Sequence, residues 1–232
     1  MPKLVFIPGL LLTSTFFSNQ AKVLEGQYEI AYADTTGLDT ITAMAERLLD
    51  EVDGNFTPIG LSMGGYITLE LARLAPDRLD AMVVMDSAAH QDSEEKIKTR
   101  KALIEMSYLG KFKGVTRTLL PSLIAPHHLK NNDLCQHIID MAGMIGHENF
   151  VLQQKAIMSR RDQFDTLRGL DKASLFVVGD VDVLTPPEQV LAMADASRGS
   201  HFVEIANTGH LPPIESPKAT NRVLADFLDK IY

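Results

Sequence analysis

The chain has a single cysteine, Cys135, among 232 residues. An internal disulfide is therefore impossible, which excludes a disulfide-stapled scaffold and favours a reducing compartment. No apolar run approaches the roughly 20 residues that a membrane-spanning helix requires. Basic residues are in deficit: 22 Lys and Arg stand against 30 Asp and Glu, a net charge of −8. That balance repels phosphate backbones and anionic lipid, so nucleic-acid and membrane-surface binding are not expected. Internal repeats, low-complexity tracts and flexible linkers are absent. Near the N-terminus one positive charge, Lys3, precedes a short apolar run, but Pro8-Gly9 interrupts the run and no small-residue cleavage site follows. A buried strand accounts for this segment better than a signal peptide, and the chain is read as cytoplasmic.

Hydrophobic residues make up 45% and charged residues 22%, the mix of an ordinary globular protein. The length suits one domain or two tightly joined ones, with a large core. Short apolar, β-branched runs recur at Leu4–Ile7, Tyr28–Tyr32, Phe56–Ile59, Ala81–Met85, Leu175–Val178 and Phe202–Ile205. Several lack in/out alternation, as strands covered on both faces do. Between them lie amphipathic stretches, with Ile41, Ala45, Leu48 and Val52 on one helical face and Ile67, Leu71 and Leu74 on another. The alternation predicts an α/β fold: a mostly parallel sheet with helices on both faces.

From about His90 to Arg168 the rhythm changes and the pattern is helical throughout. Asp92 with Glu95 three residues on resembles a capping box, and Gly110 is a natural stop. A second helix is marked by Leu134, Ile138, Met141 and Ile145, with Asn131 or Asn132 before it and Gly146 after. Pro121 and Pro126 punctuate the stretch between. The organisation expected is a core of residues 1–89 and 169–232 with a helical cap, 90–168, inserted into it.

Gly60-Leu61-Ser62-Met63-Gly64 matches Gly-x-Ser-x-Gly, after an apolar run and before a helical pattern. A serine at the tip of a sharp strand-to-helix turn needs small residues two before and two after it. The following helix then aims its N-terminal N–H groups at the serine. A plain glycine-rich turn is the bland account. A phosphate loop is not, because no Lys-Ser or Lys-Thr follows the last glycine.

A serine hydroxyl attacks only when a base takes its proton. Among the seven histidines, His210 stands out, in a loop directly after the last strand and before the C-terminal helix. The third member should be a carboxylate that fixes the imidazole tautomer. Gly179-Asp180-Val181-Asp182 offers two candidates on opposite sides of an extended turn. Asp182 is preferred, and Asp180 suits a turn residue bonded to local backbone. The order Ser62, Asp182, His210 is that of α/β-hydrolases and not of the chymotrypsin or subtilisin types.

With Pro8-Gly9-Leu10, the serine turn, Ala75-Pro76-Asp77-Arg78-Leu79, Gly179-x-x-Asp182 and Gly209-His210, the sequence resembles small capped members of the α/β-hydrolase superfamily. The resemblance implies the acid at Asp182, and an oxyanion hole from the backbone N–H of Met63 and of Leu10, with Leu11 the alternative. It also implies two departures. Pro8-Gly9 stands where many relatives carry His-Gly, and the two antiparallel strands that usually come first are missing, leaving six parallel strands. Glu215 and Pro217 fit the start of the last helix.

Other features take ordinary readings. Arg160-Arg161 at a helix end suits carbonyls, acids or water better than a substrate clamp, Met141 and Met144 suit core packing, and Cys135 suits a small buried hydrophobe. His147-Glu148 lacks the second histidine of a zinc-protease helix, so no metal or organic cofactor is implied. The function expected is a serine hydrolase cleaving a small carboxylic ester or thioester through an acyl-enzyme. The alternatives are a carbon–carbon bond hydrolase or lyase using the same triad, and a ligand-binding signalling module. An aspartate in place of Ser62 would be needed for a haloalkane dehalogenase or epoxide hydrolase. The natural substrate, pathway and oligomeric state are not written in the sequence.

Overall fold

Six segments pair side by side in a computed structural model that describes residues 1–110 and 112–232. They are β1 (Lys3–Ile7), β2 (Glu29–Tyr32), β3 (Thr57–Leu61), β4 (Met82–Met85), β5 (Ser174–Gly179) and β6 (Ser200–Ile205). Their order is β2-β1-β3-β4-β5-β6, and every pairing is parallel. The helices are α1 (Ser18–Leu24), α2 (Ile41–Glu51), α3 (Met63–Leu74), α4 (Glu94–Leu109), α5 (Asn132–Ser159), α6 (Phe164–Gly169), α7 (Pro187–Ala196), α8 (Pro212–Glu215) and α9 (Pro217–Leu228).

The apolar runs become strands because both faces of the sheet are covered. Successive side chains point to opposite faces, and each face feeds its own core. Leu4, Phe6, Val83, Met85, Leu175 and Val177 pack with Phe16, Phe17, Leu224 and Phe227. Val5, Ile7, Met82, Val84, Phe176 and Val178 pack with Met44 and Leu48 of α2, Ile67 and Leu71 of α3 and Val190 and Met193 of α7. Burying one such aliphatic or aromatic side chain stabilises by about 1.5–3 kcal/mol. The edge strands β2 and β6 are only partly buried, in keeping with their mixed composition.

Between β4 and β5 the chain runs through α4, α5 and α6, as the helical pattern predicts, with three differences. The Asp92–Glu95 box does not form. Ser93 is the N-cap of α4 and accepts from the Lys96 amide at 3.2 Å, while Asp92 is buried and paired with arginines. Gly146 does not end α5. At φ 77°, ψ 176° it breaks the helix, which then resumes to Ser159. That backbone region costs a side-chain-bearing residue energy but not glycine. Met141 is core, but Met144 is 74% exposed, so core packing explains only one of the two. Asn131 caps α5 by accepting from the Leu134 amide at 3.1 Å, and Cys135 is a buried free thiol. Among the described residues no helix is long and apolar enough to cross a membrane.

Close backbone packing surrounds the turn from β3 to α3. A Cβ added to Gly64 would run into the Ile7 carbonyl of β1, and one added to Gly60 would run into the Gly64 backbone and Thr68. Gly64→Ala must therefore push α3 away from the sheet. It is expected to lower stability by about 1–3 kcal/mol, the usual cost of overpacking, read as a lower urea midpoint with an unchanged slope.

Candidate active site

The C-terminal ends of parallel strands form a rim where loops meet, and three of these loops carry the residues singled out in the sequence. Ser62 follows β3 and stands as the N-cap of α3 at φ 55°, ψ −113°. This is a sparsely populated conformation for a residue with a side chain, and surrounding structure must hold it. Its amide donates to the Met85 carbonyl at 2.9 Å, and its carbonyl accepts from Gly65 N at 2.9 Å and from Ser87 Oγ at 2.8 Å. Flanking glycines let α3 start this close to β1, as the Gly-x-Ser-x-Gly spacing predicts.

His210 follows β6 and is 5% exposed. Its Nδ1 lies 2.8 Å from Asp182 Oδ2. An ionised carboxylate only accepts, so Nδ1 carries the proton and Nε2 is the free ring nitrogen. Asp182 is held in turn. Its Oδ1 accepts from the Leu184 amide at 2.8 Å, and Oδ2 accepts from Thr185 Oγ1 at 2.5 Å. Burial alone would raise its pKa, but the imidazole, the Thr185 hydroxyl and the Leu184 amide outweigh burial and hold the carboxyl below the ordinary Asp range. Asp180 does not reach the histidine. It is exposed, and its Oδ1 accepts from the Thr208 amide at 3.0 Å, a turn role like the one expected of it.

Ser62 and His210 line one cavity of about 580 Å³, together with Leu10 and Leu11. Among the described residues, the Ser62 hydroxyl and the His210 ring are not hydrogen-bonded to each other. The amides of Leu10, at the same cavity, and of Met63, next to Ser62 in the chain, likewise have no protein acceptor there. Leu11 differs: at φ 60° its amide donates to Gln153 Oε1 at 3.0 Å. Gln153 is fully buried in α5, and its Nε2 donates to the Thr35 carbonyl at 3.1 Å. A side-chain amide of α5 thus ties down the loop after β1.

Three further residues of the site escaped the sequence reading. Glu215 does not start the last helix; Pro217 does, and Glu215 closes the short α8. Its buried carboxylate accepts from the amides of Gly209 at 3.1 Å and Leu211 at 2.9 Å, on either side of His210, and from Ala125 at 2.7 Å in the insertion. Thr185 braces Asp182 from three residues on. Asp86, at the end of β4, is fully buried with φ 43°. Its Oδ1 accepts from the Gly179 amide at 2.9 Å, whereas Oδ2 has no partner. Burial, then the Asp182 charge, pushes its pKa far above the ordinary Asp value. A polar residue closing the run Met82-Val83-Val84-Met85 was the available signal. Ligand atoms of Asp86, Asp182 and His210 lie within 4.8 Å of one another. Within this cluster Asp182 Oδ2 and His210 Nδ1 are already bonded to each other.

A model of the alpha/beta hydrolase family matches residues 4–223. The chain belongs to the alpha/beta hydrolase family. It is 24% identical over 242 residues to 3-oxoadipate enol-lactonase 1 of Acinetobacter baylyi, covering 99% of this chain and 90% of that protein. It is 25% identical over 203 residues to a pimeloyl-(acyl-carrier protein) methyl ester esterase of Neisseria meningitidis, covering 82% of this chain and 62% of that protein's length. Among solved structures, a thermophilic esterase from Thermogutta terrifontis superposes with a TM-score of 0.91 at 26% identity, covering 100% of this chain and 90% of that one.

Asp86 binds a proton more readily in the folded protein than in the unfolded chain. Its contribution to stability is therefore complete below the ordinary Asp value of about 3.9 and is lost as pH rises through its elevated value. Asp86→Asn keeps an oxygen for Gly179 and replaces the proton with a permanent N–H donor. The melting temperature of the variant, relative to the parent, is expected to rise with pH. A difference that stays constant from acid to alkaline pH would show that folding does not raise the proton affinity of Asp86.

Proposed function

We propose that this protein is a serine hydrolase of small carboxylic esters or thioesters, working through an acyl-enzyme on Ser62. The observation that carries the reading is the His210 imidazole, held by Asp182 with its free nitrogen in the same cavity wall as the strained Ser62. Membership of the family supports it. So do the names of its relatives, an enol-lactonase and esterases.

In the proposed reaction the Ser62 hydroxyl oxygen attacks the ester carbonyl while His210 Nε2 takes its proton. The negative charge that forms on the carbonyl oxygen meets the amides of Leu10 and Met63. Each such donor is worth about 10²–10³ in rate, because it is fixed before the charge appears. Leu11 is the weaker candidate, since its amide is already engaged by Gln153. The tetrahedral adduct collapses, the bond to the alcohol breaks, and the imidazolium returns the proton to the leaving oxygen. Water then attacks the acyl group, giving its proton to His210, and the carboxylic acid leaves as Ser62 recovers its proton. Asp182 offsets the positive charge that His210 bears twice per cycle.

Ser62→Ala is expected to abolish labelling by a fluorophosphonate and to lower ester turnover by several orders of magnitude with little change in melting temperature. Mass spectrometry of the labelled protein reads the first outcome, and labelling of the variant would remove Ser62 from the mechanism. Asp182→Asn should lower turnover by about 10⁴, since an amide accommodates the wrong imidazole tautomer. Asp180→Asn should leave turnover within a few-fold of the parent; the reverse pattern would move the role to Asp180. On the acid side of a single ionisation of the general base, turnover per folded enzyme should fall about tenfold per pH unit. Steady-state rates with circular dichroism at each pH check this, and a flat profile would count against a histidine base.

A further inference from the structure

The protein carries a net charge of −8, yet its cavity is lined by basic side chains: Lys96, Arg100, Lys113 and Arg160. No Asp or Glu lines it among the described residues. The one carboxylate engaged with these arginines, Asp92, lies behind the wall. Arg160 Nη2 donates to Asp92 Oδ1 at 2.8 Å and Arg100 Nε donates to Asp92 Oδ2 at 2.6 Å. One negative charge thus faces two guanidiniums, and guanidiniums do not lose their protons. The cluster is left with one positive charge in excess.

The excess falls on Arg100. All three nitrogens of Arg160 are engaged, with the carbonyls of His90 and Ile157 and with Asp92, and its plane lies 4.2 Å over Tyr66. Arg160 is a structural strut. Arg100 uses Nε on Asp92 and Nη1 on Gln154 Oε1 at 2.8 Å. Its Nη2 has no protein partner among the described residues, and its side chain is only 21% exposed. Lys96 stands one helical turn before it on α4, at the cavity and exposed. A half-buried cation without a full complement of acceptors is costly unless an anion completes it.

We propose that the cavity is built for a monoanionic ester, one carrying a carboxylate remote from the reacting carbonyl, with that carboxylate bound by Arg100 and drawn in by Lys96. The remaining wall is largely aliphatic, from Leu10, Leu11, Leu103, Ile138 and Leu184, and suits the chain between the two groups. A guanidinium and a carboxylate form charge-assisted hydrogen bonds. The overall charge of the protein would by itself disfavour an anion, so a preference for one must come from these side chains. This inference rests on the ester-hydrolase reading for its reacting group and on the charges of the cavity for its selectivity.

The test compares monomethyl adipate with methyl hexanoate, which differ chiefly in the distal carboxylate. In the parent protein kcat/KM for the hemi-ester should exceed that for the neutral ester by about 10-fold or more, the range for a hydrogen bond to a charged group. Arg100→Met should bring the ratio towards one, chiefly by raising KM, and Arg100→Lys should restore part of it. Lys96→Met, at an exposed position where folding is not at stake, should lower the ratio less, as should high salt. A parent that turns over both esters equally would overturn the inference while leaving the hydrolase reading intact. Turnover of neither ester would count against the hydrolase reading instead. Adipate itself then decides the charge argument by calorimetry: binding that is lost in Arg100→Met supports the anion site, and no binding to the parent overturns it.

Discussion

Ser62 can sit in its strained turn only because the backbone of α3 comes to rest against β1 and β3 with no side chains between them. Gly60 and Gly64 leave that space, and the Met85 carbonyl and Ser87 hydroxyl fasten the turn from β4. The cost of such a backbone, about 1–3 kcal/mol, is offset by a sheet whose inner strands are buried on both faces. The site depends on this constraint throughout. It sets where the hydroxyl emerges and aims the first amides of α3. It also leaves the histidine loop, three strands further along, to approach from the side.

The histidine loop is fastened by acceptors. Asp182 takes the ring, Glu215 takes the amides on both sides of it, and the His210 amide itself donates to the Leu123 carbonyl in the insertion at 3.0 Å. The bond to Leu123, and that from the Ala125 amide to Glu215, reach across to residues 123–125. The imidazole is thus braced by the segment between β4 and β5 as well as by the sheet. Asp86 lies behind this arrangement, its carboxyl held well above the ordinary Asp range by burial and by the Asp182 charge.

Much of this was legible in the sequence because it depends on short-range pattern. Unbroken apolar runs such as Met82–Met85 announce strands covered on both faces, and the spacing of Gly60, Ser62 and Gly64 announces the turn. The Asp182 and His210 positions follow from loops after strands, where side chains converge whatever the loop's own preference. What was not legible depends on distant partners. Nothing near Gln153 marks it as the acceptor for an amide 142 residues away. Asp92 looks like a helix cap by its spacing from Glu95, but two arginines outbid the backbone amide for it. Arg100 resembles any solvent-facing helix residue until Asp92 and Gln154 are seen to use only two of its nitrogens. Gly146 looks like a stop, and only the packing of Phe150, Val151 and Ile157 shows why the helix goes on beyond it.

The bond from Leu11 to Gln153 joins the loop after β1 to α5, a helix whose Ile138 and Phe150 also line the cavity. A guest that presses on those side chains loads the same helix that anchors the loop. By reciprocity, whatever free energy the loop's arrangement contributes to a guest's affinity, the guest contributes to the loop's arrangement in equal measure. Fit against α5 and the arrangement of the loop beside Ser62 are therefore not independent quantities here.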